Sequence, residues 1–157
     1  MNDGNLALRR GTILLRLGTS LFLIGLLVGL AISNFGGALN VFALPRAALS
    51  AHLIGLMQGT FLVAIGTVWP LLRLASTLSR ATFWLLVYGF AAAFVANLLA
   101  AVWGAGGSML PQSTGGIQGS ALEETVIAII LRTAAVSQIA AVALIVWGLR
   151  PSRTDQA

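Results

Sequence analysis

The chain contains a single histidine, His52, and its chemistry most restricts what this protein can do. On a helix, His52, Gly55, Gly59 and Gly66 fall within about 60° of one another, because they are separated by multiples of roughly one helical turn. An imidazole followed along its own face by residues without side chains predicts one of two environments. Either a neighbouring helix packs closely against this face, or the face leaves room beside the imidazole for a flat cofactor.

The inventory of reactive groups excludes most kinds of catalytic site. The chain has 157 residues, no cysteine, one histidine and four acidic residues. The lack of cysteine excludes disulfides, thiolate catalysis and iron–sulfur clusters. One histidine with so few carboxylates also excludes a Ser-His-Asp triad and a catalytic zinc site with three protein ligands. A single imidazole is sufficient, however, as the axial ligand of a haem whose opposite iron face stays open and can act as a Lewis acid.

The composition is that of an integral membrane protein. Hydrophobic residues make up 58% of the chain and charged residues only 8%, and the mean hydropathy is +0.96. A soluble domain carries about 25% charged residues, so water cannot be the solvent for most of this surface. The net charge of +5 comes from nine arginines. Most of them flank apolar stretches, which is typical of membrane anchoring rather than of nucleic-acid binding.

Four apolar segments predict an all-α integral membrane four-helix bundle that forms one domain over residues 1–157. Helices are predicted over about residues 12–33, 47–72, 81–103 and 121–149, each near the roughly 20 residues that a spanning helix needs. The first segment is interpreted as a retained helix rather than a signal peptide, because its apolar stretch exceeds the usual 7–15 residues or so. Residues 104–120 are rich in glycine and serine and predict a flexible loop. After it, Ser120 is expected to cap the fourth helix, with Glu123 and Glu124 in the first turn.

The distribution of arginines predicts the orientation of the chain. Arginines in the cytoplasmic segments are expected to outnumber those outside, and one side of the predicted topology holds seven while the other holds only Arg46. Both termini are therefore predicted to be cytoplasmic, in a membrane of the bacterial inner-membrane type. The seven are Arg9, Arg10, Arg16, Arg73, Arg80, Arg150 and Arg153.

Polar residues from three helices are predicted to lie at one depth. With a rise of 1.5 Å per residue, His52, Asn97 and Arg132 each lie roughly 9–12 Å below the outer interface. Gln58 and Tyr88 lie deeper. Ionisable residues within membrane helices are costly and are functional candidates by default. This coincidence of depth predicts a shared polar site.

Each candidate also has a purely structural interpretation. His52 can hydrogen-bond to a neighbouring helix instead of binding a ligand or moving a proton. Arg132 either pairs with Glu124 as a structural bridge or binds an anionic group of a ligand. Arg46 suits a headgroup anchor, and Tyr88 an ordinary packed ring. The amides of the second and third helices, and the small-xxx-small motif of the second, are also typical of helix–helix packing.

The start of the second helix resembles a known family. The run PRAALSAH at residues 45–52, followed by GLMQG at residues 55–59, is similar to the hydroxylaminobenzene mutases, small four-helix membrane proteins with a Pro-Arg-x-Ala-Leu-Ser-x-His run at this place. The similarity continues through residues 84–89, 98–101 and 103–106 and ends at residues 147–150. It implies a membrane isomerase that rearranges an arylhydroxylamine to an aminophenol.

A more distant similarity is to the styrene oxide isomerases. These proteins have a histidine followed six and seven positions later by an amide residue and a glycine, which here are His52, Gln58 and Gly59. In that family the histidine ligates a ferric haem b between the subunits of a trimer, so the resemblance implies haem b on His52 and a homotrimer. The family's amide is asparagine, one methylene shorter than Gln58. The family's catalytic tyrosine of the third helix aligns with Ala96, beside Asn97.

The resulting hypothesis is an isomerase that uses His52 to hold a Lewis-acidic ferric haem b. Its small aromatic substrate is expected to enter from the surrounding membrane lipid, and no nucleic-acid partner is expected. The alternatives are an epoxide isomerase, an electron-transfer haem subunit and a non-catalytic membrane interaction protein. Two groups of residues complete the predicted site: Arg46, Arg132, Gly55 and Gly59 around the cofactor, and the catalytic candidates Gln58, Asn97 and Tyr88.

Overall fold

The computed structural model describes residues 3–33 and 41–150, and within these ranges every regular element is helical. Each of the four long helices has the length and composition to cross a membrane. The predicted all-helical fold class is therefore confirmed. The elements are α1 (Asp3–Ile32), α2 (Pro45–Val68), α3 (Ser76–Trp103), a short α4 (Pro111–Thr114) and α5 (Ala121–Gly148), with a 3-10 turn (Trp69–Leu71) after α2.

Two helices begin earlier than the apolar segments predict. α1 begins at Asp3 rather than near residue 12, and α3 begins at Ser76 rather than at residue 81. The polar residues before each apolar segment are therefore helical. Arg10 in α1 donates from Nη1 to Oγ of Ser79 in α3 at 3.0 Å, so these two polar extensions contact each other.

The contact between α1 and α2 is the most extensive in the protein and is built on glycines. A Cβ atom added to Gly11 would lie 2.7 Å from the carbonyl oxygen of Gly66, and one added to Gly18 would lie 2.7 Å from that of Gly59. Only glycine permits such an approach of two backbones. Both pairs are seven residues apart along each helix. Continued by seven more residues, this antiparallel register brings Gly25 opposite His52.

The four long helices form an open row in the order α1, α2, α3, α5. α2 packs against α3, and α3 packs against α5, whereas α1 touches α3 only slightly and has no comparable contact with α5. One apolar cluster lies toward the end of the helices where α1 begins, and it includes Leu14, Trp69 and Leu86. At the opposite end, buried alanines of α2 and α3 pack with Ile127 of α5.

Both ends of the described chain lie at the same end of the helices, where α1 begins and α5 finishes. The backbone N–H of Arg73 donates to the carbonyl of Gly148 at 2.9 Å, and the start of α1 contacts the 3-10 turn beside Arg73. At the opposite end, Leu44 N–H donates to the carbonyl of Ala101 at 3.0 Å. The cytoplasmic location of the termini stays a prediction. Arg153, which contributes to that prediction, lies outside the described residues.

Candidate functional site

The imidazole of His52 turns toward α1. Its Nδ1 lies 2.7 Å from the carbonyl oxygen of Gly25. Since a carbonyl oxygen can only accept, Nδ1 must carry the proton and donate. A neutral imidazole then has its lone pair on Nε2, which makes no hydrogen bond with any described residue. His52 is half-buried, and the structure fixes both its ring orientation and its tautomer.

Gly29 forms the wall against which this ring lies. A Cβ atom built on Gly29 would lie 2.5 Å from Nδ1 and 2.6 Å from Cε1 of His52. Such distances are far inside van der Waals contact, so the ring occupies space that any other residue at position 29 would fill. α1 therefore contributes both the hydrogen-bond acceptor and the room that the imidazole needs.

The glycine face of α2 is occupied by a helix. A Cβ atom on Gly55 would lie 2.9 Å from Cα of Gly25, and one on Gly59 would lie 2.8 Å from the carbonyl oxygen of Gly18. Of the two environments predicted for this face, the structure has the closely packed helix. In this geometry Gly55 and Gly59 pack against α1. Their predicted contact with a cofactor stays a prediction.

No hydrogen bond among the described residues joins the three polar side chains that were predicted to share a site. Asn97 is 2% exposed, and its Nδ2 donates to the carbonyl of Ala93 in its own helix at 2.9 Å. Arg132 is exposed on α5. Within one chain, therefore, each of the three groups has different surroundings.

The predicted structural bridge between Arg132 and Glu124 is wrong. Glu124 is used by the loop instead: its Oε1 accepts from the backbone N–H groups of Gly106 at 2.6 Å and of Gly119 at 3.0 Å. Its Oε2 accepts from Oγ of Ser108 at 2.7 Å. Successive N–H groups of a glycine-rich turn form a concave site for an anion, and here the anion is the protein's own carboxylate. Glu124 thus fixes the loop over the outer end of α3 and α5.

The start of α5 is capped as predicted. Ser120 accepts from the backbone N–H of Glu123, and the Glu123 carboxylate accepts from the backbone N–H of Ser120. This reciprocal pair is a capping box, which satisfies two donors at the helix end. The two adjacent glutamates therefore have different tasks, one within the helix cap and one within the loop.

Arg46 lies in the first turn of α2, where its exposed side chain lines a cavity of about 390 Å³. Ser113 and Thr114 of α4 line the same cavity. The hydroxyl of Ser50 lies 2.8 Å from that of Ser113 and ties the first turns of α2 to α4. This polar site lies where α2 begins, and it is compatible with either predicted role of Arg46.

Tyr88 connects α3 to α5. Its hydroxyl lies 2.6 Å from Oγ1 of Thr133, which itself donates to the carbonyl of Ile129 at 2.9 Å. Because the single proton of Thr133 is used there, Tyr88 is the donor in the shorter bond. The phenol proton therefore already has an acceptor, and Tyr88 is 48% exposed.

An apolar groove of about 610 Å³ runs over α3 between α2 and α5, and two glutamines line it. The Oε1 atom of Gln58 is buried and has no hydrogen-bond partner among the described residues. Gln138 donates from Nε2 to the carbonyl of Gly89 at 2.8 Å. Phe61 and Phe90 stack in the same groove, with ring centroids 5.4 Å apart. The groove offers aromatic surface together with a buried acceptor that needs a donor.

Gly25, Gly29 and Gln138 belong to this arrangement but were not among the predicted site residues. Gly25 and Gly29 lie in the first helix, and the seven-residue spacing of glycines at 11, 18 and 25 was a signal that could have paired that helix with the glycine face of α2. Gln138 is an isolated amide in an apolar helix, which marked it as a candidate by the same argument as Gln58. No comparable signal pointed to Glu124, because its partners are backbone groups.

Comparison with known proteins gives consistent matches over nearly the whole chain. The family model described as styrene oxide isomerase matches residues 10–150. Hydroxylaminobenzene mutase HabB of Ectopseudomonas oleovorans is 44% identical over 144 residues, which cover 90% of this chain and 84% of the relative. Hydroxylaminobenzene mutase HabA of the same organism is 35% identical over 138 residues, covering 88% of this chain and 97% of the relative. No solved structure matches the chain.

Proposed function

The chain belongs to the styrene oxide isomerase family and is an isomerase that catalyses an intramolecular rearrangement, and we propose that its substrate is an arylhydroxylamine, which it converts to an aminophenol. The 44% identity to a hydroxylaminobenzene mutase over 90% of the chain supports this substrate class. In the proposed reaction the N–O bond breaks, a C–O bond forms on the ring, and one proton passes from the ring carbon to nitrogen. Atoms and electrons balance without an external donor.

The observation that carries the proposal is the geometry of His52. Its Nδ1–H donates to the carbonyl of Gly25 at 2.7 Å, so that Nε2 presents a lone pair. Metal-binding histidines commonly donate their other ring N–H to a carbonyl in this way, which fixes the tautomer and increases the basicity of the ligating nitrogen. These residues fit the haem b that the family resemblance implies, and His52 would hold it through Nε2. When bound there, ferric haem would supply Lewis acidity toward the substrate oxygen.

The groove residues are proposed to bind and position the substrate. The buried Oε1 of Gln58 lacks a donor, and the N–H or O–H of a hydroxylamine supplies one. Leaving such an acceptor unpaired costs about 1–3 kcal/mol, so a ligand that satisfies it gains affinity and orientation. Phe61 and Phe90 provide an apolar surface for the substrate ring, and the exclusion of bulk water protects a cationic nitrogen from hydrolysis. Asn97 and Tyr88 stay candidates for positioning the substrate, although Tyr88 already uses its single O–H and Asn97 one of its two amide N–H groups within the protein.

Arg46 and Arg132 are proposed to balance the negative charge of the haem propionates. Both side chains are exposed, and neither forms an ion pair with a described residue. Within one chain they lie on α2 and α5, at different places along the open row. Together with the half-buried His52, this placement supports a site completed by a second copy of the chain, and we include in the proposal the homotrimer that the resemblance implies.

The proposed location is the cytoplasmic membrane, with both termini inside. Four helices of spanning length and composition support a multi-pass protein. The end of the helices where α1 begins and α5 finishes also holds Arg10, Arg73 and Arg80, as the positive-inside rule requires. An apolar aromatic substrate then reaches the lipid-facing groove directly from the bilayer.

Product analysis tests the substrate class and the intramolecular path together. Purified protein is incubated with hydroxylaminobenzene in water enriched in oxygen-18, and the products are identified by chromatography and mass spectrometry. We expect an aminophenol of unchanged mass, because the substrate oxygen stays in the site. Incorporation of oxygen-18 into the aminophenol would contradict a protected transfer, and a complete lack of aminophenol would contradict the substrate class.

Epoxide isomerisation is the second candidate, and the family model favours it. The same assay with styrene oxide, analysed for the aldehyde isomer, separates the two. Turnover of styrene oxide with a larger kcat/KM than hydroxylaminobenzene would replace the first candidate by the second.

A further inference from the structure

A basic cavity lies at the end of the helices where α1 and α3 begin, far from His52. Its volume is about 530 Å³, and Arg10, Ser76, Thr77, Arg80 and Trp84 line it. α3 begins at Ser76, and the preceding residue, Ala75, has no side chain that can cap it. The backbone N–H groups of the first turn therefore lack the usual side-chain acceptor. Polar donors thus surround this cavity from two helices.

The two arginines bring positive charge to the cavity, and within the described part of the chain no acidic group offsets it. Arg10 is half-buried, and its Nη1 donates to Oγ of Ser79 at 3.0 Å, which holds the guanidinium beside α3. Arg80 is exposed on α3 itself. No described acidic side chain pairs with either arginine. Glu123 and Glu124 are bound within the cap and the loop at the opposite end of the helices. The described residues of the cavity therefore favour an anionic ligand.

Trp84 indicates where that anion comes from. It lies one helical turn after Arg80 on the same face of α3, lines the cavity and is 60% exposed. Tryptophan is enriched at the boundary between hydrocarbon and headgroups, and basic pockets on the cytoplasmic side of membrane helices suit anionic headgroups. A guanidinium binds phosphate with two parallel hydrogen bonds. The cavity thus combines phosphate donors with an apolar edge that opens toward the bilayer.

We propose that this cavity binds the phosphate of an anionic phospholipid, in a site separate from the isomerase chemistry. Arg10 and Arg80 bind the phosphate, the hydroxyls of Ser76 and Thr77 and the free N–H groups of α3 add hydrogen bonds, and Trp84 packs against the glycerol and the start of the acyl chains. A zwitterionic lipid binds more weakly, because its own ammonium group offsets the phosphate charge. A bound lipid would also bridge α1 and α3, which otherwise touch only slightly.

Native mass spectrometry of the detergent-purified full chain tests this site. The protein is titrated in parallel with phosphatidylglycerol, phosphatidylcholine and inorganic phosphate. The variants are Arg10→Gln/Arg80→Gln and Arg80→Gln alone, which does not disturb the hydrogen bond of Arg10. Arg9→Gln is the matched control, because it removes the same charge from the neighbouring exposed position, which does not line the cavity.

We expect phosphatidylglycerol to bind more tightly than phosphatidylcholine, and each lost arginine to weaken it about fivefold. Arg9→Gln should leave the affinity unchanged within about twofold. An equal loss in Arg9→Gln would overturn the proposal in favour of general charge attraction. Unchanged binding in both cavity variants would overturn it as well, and displacement of the lipid by millimolar inorganic phosphate would make free phosphate the ligand instead.

Discussion

Replacing Gly29 by alanine should disturb His52 although position 29 lies on a different helix. The added Cβ atom would lie 2.5 Å from Nδ1 of His52, whereas ordinary van der Waals contact begins at 3.4 Å. Relief of this overlap requires a movement of about 1 Å by the imidazole or by α1 as a whole. A shift of that size lengthens the hydrogen bond of 2.7 Å between Nδ1 and the Gly25 carbonyl to about 3.6 Å, which is no longer a hydrogen bond.

The size of the effect follows from what this hydrogen bond does. Its loss costs about 0.6–1 kcal/mol of stability, the usual value for a hydrogen bond in water or in a membrane. The larger consequence is functional, since loss of the group that orients a metal-binding histidine typically lowers metal affinity or activity about 10–100-fold. Gly29→Ala should therefore remain folded and lose most of the proposed mutase activity and of the proposed haem occupancy.

Gly4→Ala is the matched control for this prediction. Both glycines are in α1, but a Cβ atom at position 4 would meet nothing within 4 Å, so this variant reports only the gain in helix propensity. The assay compares mutase rate, haem absorbance per protein and melting temperature for both variants. Parental activity and absorbance in Gly29→Ala would refute the proposed role of the α1 wall, and equal losses in both variants would attribute the effect to helix α1 in general.

Three further substitutions test individual contacts. Gln58→Leu should leave stability nearly unchanged, because the buried Oε1 of Gln58 has no partner to lose. It should reduce kcat/KM for hydroxylaminobenzene about tenfold, the equivalent of one lost hydrogen bond to the substrate, and a parental kcat/KM would contradict this. Glu124→Ala should lower the free energy of unfolding by about 1–2 kcal/mol, since it leaves the N–H groups of Gly106 and Gly119 without their acceptor. Hydrogen exchange of these two amides should become faster, and unchanged exchange would contradict the prediction. Tyr88→Phe should cost about 0.6 kcal/mol in thermal unfolding and change kcat less than about threefold, because the hydroxyl is already bound by Thr133 at 2.6 Å; a loss of 100-fold would make Tyr88 a catalytic residue.

The helical fold could be predicted because each spanning segment is long, predominantly apolar and flanked by arginine, proline or glycine. The start of α1 could not, since its polar first turns owe their helical form to contacts such as that between Arg10 and Ser79. Such a contact joins residues 69 positions apart, and no local pattern encodes it. Element ends are set by tertiary contacts more than by composition.

At the site, the residue type of His52 was informative and its direction was not. The glycine face of α2 was compatible with a cofactor or a helix, and the choice depended on α1, whose glycines at 11, 18 and 25 match it in spacing. Glu124 was harder to predict, because its partners are mainly backbone N–H groups, which every residue but proline has. Sequence showed a glycine-rich loop and an acidic pair separately, and only the three-dimensional structure brings them together.

The central claim is that His52 holds a haem. The absorption spectrum of the purified protein, recorded oxidised and then reduced with dithionite, tests this claim most directly. His52→Ala is recorded beside it, with and without added imidazole, which can occupy the space that the lost side chain leaves. We expect a haem band in the parent, its loss in His52→Ala, and partial return with imidazole. A colourless parent that still produces aminophenol after expression in a haem-replete host would contradict the claim and leave His52 as an acid–base residue.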